Sequence, residues 1–321
     1  IGRRVFRLAL SHPEINVVAV NDLADTKTLG HLLKYDSIHG ILEDHIIIKD
    51  HELLINNKTI AFFNKDRPED IPWSDFGVDM VVESTGKFKF TDQLSSHLKP
   101  GVKRVILSVP PAEENIKMVV LGVNDYIINA KDTIVSNASC TTNNAAPMID
   151  LINKHFGVNQ AYITTVHSYT TDQSLHDVPH HDLRRARAAG QSIVPTTTGA
   201  AKALTKIFPH LSEVIGGAGI RVPVPNGSLT DMTINVQKEV TIEEINHIFR
   251  EASNGSYKGI IQYTEDPLVS VDIIGNTHSC VFDSQMTSVI GNMVKIIGWY
   301  DNETGYSARI LDLICNLSEK K

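Results

Sequence analysis

Thr133-Ile-Val-Ser-Asn-Ala-Ser-Cys140-Thr-Thr-Asn-Asn-Ala-Ala-Pro-Met148-Ile-Asp-Leu-Ile-Asn-Lys-His155 marks the place where the chain changes architecture. Its β-branched opening predicts a strand, and from Cys140 onward Met148, Ile149, Leu151 and Ile152 recur at helical spacing, predicting a long amphipathic helix. Upstream, short continuous apolar runs alternate with helix-like stretches: Asn16 to Asp22, Val78 to Gly86, Lys103 to Pro110 and Lys117 to Asn124. Such runs, bounded by Gly, Pro and Asn, are the strands of a parallel sheet covered on both faces. Downstream, longer segments alternate with period two: Ala161 to His167, Leu229 to Gln237 and Ser288 to Tyr300. They predict an α+β domain with a mixed or antiparallel sheet. The expected division is therefore an α/β domain of residues 1–139 with 303–321, and a second domain of residues 140–302, with the site at the strand-to-helix junction between them.

Lys and Arg number 30 against 37 Asp and Glu, a balance of −7, so the overall charge offers no footprint for nucleic acid or an anionic membrane. The apolar runs are of strand length, too short for a membrane span. Three widely spaced cysteines, Cys140, Cys280 and Cys315, suit neither a disulfide framework nor a structural zinc site and fit a reducing, cytoplasmic setting. His176, His180 and His181 approach a metal spacing, but no Cys or carboxylate completes it, and no metal is expected.

A Rossmann unit places a Gly-rich turn before its first helix and an acidic residue about twenty positions on, at the end of the second strand. Here Gly2 and Arg3 open a helix expected to run to Ser11, and Asp22 closes the strand Val17-Val-Ala-Val-Asn-Asp. Strand one and the earlier glycines are expected upstream of Ile1. A carboxylate at position 22 would repel a 2′-phosphate, which points to NAD rather than NADP.

Cys140 sits at the predicted helix start among small and hydroxyl residues that leave a thiol approachable. The positive end of a helix and a nearby imidazolium lower a thiol pKa, so Cys140 is expected to titrate below a free thiol and act as a nucleophile. The competing reading is a small buried Cys, and Cys280 and Cys315, inside apolar runs, keep it. His167, ending a strand before the polar run Ser168-Tyr-Thr-Thr-Asp-Gln, is the candidate base. Pro195-Thr-Thr-Thr-Gly-Ala-Ala-Lys and Gly219-Ile-Arg-Val-Pro-Val-Pro-Asn could each hold an anion.

Taken together with Asp182-Leu-Arg-Arg-Ala-Arg-Ala-Ala and Trp299-Tyr-Asp-Asn-Glu-Thr-Gly-Tyr-Ser, these segments resemble, in order and over essentially the whole chain, the signatures of the phosphorylating glyceraldehyde-3-phosphate dehydrogenases. The resemblance implies oxidation of D-glyceraldehyde 3-phosphate to 1,3-bisphosphoglycerate in glycolysis and gluconeogenesis, through a Cys140 hemithioacetal and thioester, with His167 as base. By matching position, the substrate phosphate would lie on Thr170, Asp172 and Arg221, and inorganic phosphate on Ser139, Thr141, Thr198 and Gly199. Asp22 would hold the adenosine ribose, Thr85 and Ser108 would line the cofactor path, Asn302 would bond the nicotinamide amide, and Tyr306 would pack near its ring. The resemblance also implies a homotetramer, in which the loop around Pro179 reaches a neighbour's cofactor and Arg184, Arg185 and Arg187 make contacts between subunits.

Two residues depart from the family pattern: Asn144 stands where a second Cys is common, and Thr304 where many members carry Trp. The nearest alternative is the erythrose-4-phosphate dehydrogenases, in which water resolves the thioester; the intact Thr196-Thr-Thr-Gly199 turn and Ser168-Tyr-Thr-Thr-Asp172 argue against it. A non-catalytic scaffold is a further alternative, which the charge balance and lack of a basic aromatic surface disfavour.

Overall fold

The computed structural model describes residues 1–319, and these divide into two compact units: residues 1–119, 126–138 and 307–319, and residues 120–125 with 139–306. In the first, parallel strands Met80–Glu83, Arg104–Leu107, Ile134–Ser136 and Lys117–Met118 lie in that order. Val105, Leu107 and Ile116 pack beneath them with Leu94. A second sheet pairs Ala19–Asn21 in parallel with Lys58–Phe63, then continues antiparallel through Glu52–Ile55 and Ile46–Lys49. Phe6 of the Gly2–Ala9 helix and Leu33 of the Thr26–Lys34 helix pack on it with Leu53, Ile55, Ile60 and Phe62. The parallel strands thus fall into two sheets, and among the described residues no strand pairs with both. The run from Lys117 forms only a two-residue strand, Lys117–Met118, before the chain turns.

The second unit is built on a mixed sheet in the order Val194–Thr196, Ile215–Val222, Val158–Ser168, Ser228–Val236, Met293–Tyr300, Cys280–Asp283, Ile261–Thr264. Every second residue of Ser228–Val236 is buried, as period-two alternation requires of a sheet with one covered face. The cover includes the helix Cys140–Phe156, whose Met148, Ile149 and Ile152 are fully buried with Met232, Ile234, Val294 and Ile296. This packing is close: a Cβ added at Gly298 would meet Cys280 Sγ, Met148 Cε and Met148 Sδ, each at 2.8 Å. Asn144 is part of it, its Nδ2 donating to the carbonyls of Ser279, Gly298 and Trp299 at 3.2, 3.3 and 3.3 Å.

One expected strand is two. Ser288–Ile290 and Met293–Tyr300 form a hairpin around Gly291-Asn292, with Gly291 at φ +60°. A glycine that enters the left-handed region without steric cost, followed by Asn, is a hairpin signal that the surrounding alternation conceals.

Candidate active site

Cys140 is the first residue of its helix, and Ser139 caps it, accepting from Thr142 N at 3.1 Å. Ala138, immediately before the cap, has φ +56°, a conformation that strains a residue bearing a Cβ. Such strain at the turn preceding a half-buried thiol suits a position that must be aimed. His167 arrives from the adjacent strand Val158–Ser168, which places its Nε2 3.5 Å from Cys140 Sγ. Parallel register sets Arg221 directly beside His167, with Arg221 Nη1 2.7 Å from His167 Nδ1 and donating to Ser168 O at 2.9 Å.

Ser168 O also lies 2.7 Å from His167 Nδ1. The ring can therefore be held in either tautomer. With the proton on Nδ1, it donates to Ser168 O, Arg221 Nη1 donates to that same oxygen and not to the ring, and Nε2 faces the thiol as acceptor; with the proton on Nε2, Arg221 donates to Nδ1 and Nε2–H faces the sulfur. Burial, aided by the guanidinium of Arg221, pushes the imidazole down to about 3. Burial pushes the Cys140 thiol up, while Arg221 and hydrogen bonding at Thr141 pull it down. The expectation of a thiol below its free value beside an imidazolium is corrected on both counts: burial keeps the ring uncharged and raises the thiol, and the cation beside them is Arg221.

Behind this pair, Tyr300 bridges Thr141 Oγ1 and Thr165 Oγ1, both at 2.9 Å, and its ring meets His167 edge-on at 6.0 Å. Ser168 and Ser228 hydroxyls both donate to Asn302 Oδ1, at 2.8 and 2.9 Å, fixing that buried amide. Tyr306 and Thr304 are also buried. Cys280 and Cys315 keep the inert reading: burial raises both, Cys315 to about 11 with help from Glu14.

The Asp172 loop and the Thr196–Gly199 turn come together through a residue whose expected place was between subunits. Arg185 donates from Nε to Thr196 Oγ1 at 2.9 Å and from Nη2 to Thr197 O at 3.2 Å, and pairs with Asp172 through Nη1. It thereby joins the Asp172 loop to the Thr196–Gly199 turn. Thr198 Oγ1 accepts from Ala200 N at 3.2 Å, and Gly199 precedes the helix Ala200–Ile207. Thr170 is half-buried at the start of the Asp172 loop. The Asp172 carboxyl is opposed by partial burial but held below its ordinary range by Arg185, with His180 adding to the effect. Arg187 pairs with Asp177 in its own loop.

In the first unit, Asp22 follows the strand Ala19–Asn21, and its exposed carboxylate accepts from Ala24 N at 3.0 Å. Thr85 and Ser108 follow adjacent parallel strands; Ser108 N donates to Glu83 O at 3.0 Å, and Thr85 N to Glu83 Oε1 at 2.7 Å. Gly2 opens the helix Gly2–Ala9, two residues shorter than expected, and lies so close to Ser84 that an added Cβ would come within 2.4 Å of Ser84 Oγ. Arg3 spends its guanidinium on Asp36 at 3.1 Å. Asp22, Thr85 and Ser108 thus follow the carboxyl ends of parallel strands, where open α/β sheets bind ligands, and Gly2 lies against Ser84 at one of those ends. The close approach at Gly2 is a cradle that a side chain would fill, and the residues fit a dinucleotide.

Sequence reasoning did not find Arg185 in the anion site, Tyr300, or the serines that orient Asn302. Their partners lie far along the chain, and no local spacing signals them.

Residues 1–91 match the family model for the NAD binding domain of glyceraldehyde 3-phosphate dehydrogenase, and residues 139–302 match its C-terminal domain. The chain is 49% identical to glyceraldehyde-3-phosphate dehydrogenase 1 of Bacillus cereus and to glyceraldehyde-3-phosphate dehydrogenase of Geobacillus stearothermophilus, in each case over 100% of this chain and 96% of the relative. It is 48% identical to that of Borreliella burgdorferi, over 98% and 95%. The thiol–imidazole pair, the two hydroxyl-rich anion segments and the strand-end cradle therefore stand in a chain that belongs to the glyceraldehyde-3-phosphate dehydrogenase family.

Proposed function

We propose that the chain oxidises D-glyceraldehyde 3-phosphate to 1,3-bisphosphoglycerate, as an NAD-dependent oxidoreductase working through a thioester on Cys140. The observation that carries this reading is Cys140 Sγ within 3.5 Å of His167 Nε2 at a helix start, with Arg221 beside the ring. With its proton on Nδ1, His167 takes the thiol proton as Sγ attacks the aldehyde carbon. The Nε2–H so formed faces the oxygen that becomes negative, and Arg221 favours a negative charge nearby. NAD, when bound, would supply the acceptor for the hydride of the hemithioacetal carbon. His167 holds the proton of the hemithioacetal hydroxyl as the carbonyl of the thioester forms. Inorganic phosphate then attacks that carbonyl, and Cys140 Sγ leaves as the thiolate.

Two anions must be held. Thr170, Asp172 and Arg221 would receive the substrate phosphate, and Ser139, Thr141, Thr198 and Gly199 the attacking one. Arg185, tied to both segments, adds a cation where two phosphate groups meet. Asn302, its oxygen engaged by two hydroxyls, has its amide NH2 left to bond the carboxamide of the nicotinamide. Asp22 would favour NAD over NADP by repelling a 2′-phosphate.

A homotetramer is the assembly we propose. Leu175, Leu183 and Ile193 are 78, 81 and 70% exposed in and beside the loop around Pro179, apolar area that a neighbouring subunit would cover. No helix among the described residues is long and apolar enough to cross a membrane, and a cytoplasmic setting agrees with three free cysteines. The test is NADH formation from glyceraldehyde 3-phosphate with and without phosphate. Sustained turnover that requires phosphate supports the reading, and equal sustained turnover without it would mean that water resolves the thioester.

A further inference from the structure

A second line of buried polar groups lies in the first unit. Trp73, His97 and Glu83 are 5, 3 and 4% exposed and come from three separate segments: the turn Trp73–Phe76, the residues after the helix Thr91–Ser95, and the end of the strand Met80–Glu83. Trp73 Nε1 donates to His97 Nδ1 at 3.1 Å, and His97 Nε2 lies 3.1 Å from Glu83 Oε2. The other carboxylate oxygen, Oε1, accepts from both N and Oγ1 of Thr85. Thr85 Oγ1 in turn accepts from Lys87 N at 3.1 Å.

Donor accounting fixes the direction of this chain. An indole N–H can only donate, so His97 Nδ1 must accept and carries no proton; the ring proton is on Nε2, where it can only donate to Glu83. A carboxylate can only accept, so Glu83 receives His97 on one oxygen and Thr85 on the other. Every link is matched, and none can be reversed alone. The end of the chain is the turn Ser84-Thr85-Gly86, with Gly86 at φ +70° and Ser84 against Gly2.

We propose that Trp73, His97 and Glu83 form a one-directional hydrogen-bond relay that locks the His97 tautomer and positions the Ser84-Thr85-Gly86 turn against the start of the Gly2 helix for the bound dinucleotide. These are positioning residues, and the consequence for the cofactor rests on the reading that Thr85 lines its path. Because the relay has a direction, a wrong donor at one link is repaired by removing a donor at another. In Glu83→Gln, an amide whose oxygen still serves Thr85 turns its NH2 toward His97 Nε2–H. If His97 shifts its proton to Nδ1, that proton meets the indole N–H of Trp73. Turning the new amide over moves the clash to the N–H of Thr85. One donor–donor contact is unavoidable while Trp73 is present. Adding Trp73→Phe removes the indole donor, so His97 can carry its proton on Nδ1 and accept the amide NH2 at Nε2, and the clash is gone.

The test is a double-variant cycle on the whole enzyme, reading Tm without cofactor and Kd for NAD by calorimetry in wild type, Glu83→Gln, Trp73→Phe and the double variant. We expect Glu83→Gln to lower Tm and weaken NAD about tenfold, the scale of one buried unmatched donor. The same substitution should cost clearly less in the Trp73→Phe background, for both readouts. Folding of the double variant where Glu83→Gln alone does not fold is the same result in stronger form. Equal losses in the two backgrounds would overturn the relay. If neither variant carrying Glu83→Gln folds, 15N-histidine spectra of wild type decide, assigned by the resonance lost in His97→Gln: a proton on Nε2 supports the relay and one on Nδ1 overturns it. Thr85→Ala separates the positioning of the turn from its consequence for the cofactor. Unchanged NAD affinity there would remove the turn from the cofactor site, while the Tm cycle would still judge the relay.

Discussion

Replacing His167 separates its two contacts. Asn carries its amide at the level of the ring's Nδ1, so His167→Asn can keep the link to Ser168 O and loses the reach to Cys140 Sγ. Gln carries its amide at the level of Nε2, so His167→Gln can still touch the sulfur and has no basic nitrogen. If His167 were needed only to hold the thiol in place, Gln would substitute for it; as a base, it has no substitute. General base catalysis is worth about 10²–10⁴ in rate, or roughly 3–5 kcal/mol of barrier. The single contact of 3.5 Å between Sγ and Nε2 carries that effect. We therefore expect both variants to lose about two to four orders of magnitude in the first-turnover rate of NADH formation, measured by stopped flow without phosphate, and Gln to stay within about tenfold of Asn. A first-turnover rate in His167→Gln close to wild type would refute the assignment of the base.

Asp22→Ala should shift preference toward NADP by several-fold, about 1 kcal/mol for one exposed like-charge contact removed, with Kd for the two dinucleotides as the readout; an unmoved ratio would take Asp22 away from the ribose. Partial burial opposes ionisation of Asp172, but Arg185 holds its pKa below the ordinary carboxylate value, so its contribution is present throughout the assay range and is lost only as pH falls through that lowered value. Asp172→Asn should accordingly change KM for the aldehyde phosphate by the same factor at pH 6 and pH 8, and a factor that grows across this interval would show a titrating partner instead. Gly298→Ala should cost about 1–3 kcal/mol in denaturant unfolding, since its methyl would meet two sulfur atoms and a methyl carbon in a closed core, while the folded fraction keeps its rate.

Much of the site was legible because its residues end or begin elements. Cys140 could be placed at a helix start from the periodicity of Met148, Ile149, Leu151 and Ile152, and His167 at a strand end from the polar run that follows it. Arg221 stood out only as part of an anion segment; that it lies against His167 is a matter of parallel register, which no local pattern encodes. The intrachain partners of Arg185 went unseen for the same reason. Its own segment is polar and irregular, and its partners Asp172, Thr196 and Thr197 belong to other loops. The thiol's surroundings were the least legible feature: periodicity locates the helix start, but burial and the identity of the nearby cation come from tertiary packing. The hairpin at Gly291-Asn292 was hidden for a different reason, since its two arms continue one alternation and the turn residues are only two.

The proposed chemistry turns on a covalent acyl group at Cys140. Mixing the enzyme with glyceraldehyde 3-phosphate and NAD in the absence of phosphate, quenching in acid after the first turnover, and mapping the peptides by mass spectrometry reads it directly. The expected result is one acyl adduct per chain, on the peptide bearing Cys140, matched by one NADH formed, discharged on adding phosphate, and neither adduct nor NADH in Cys140→Ser. A first turnover of NADH in wild type with Cys140 unmodified, or one that persists in Cys140→Ser, would contradict it.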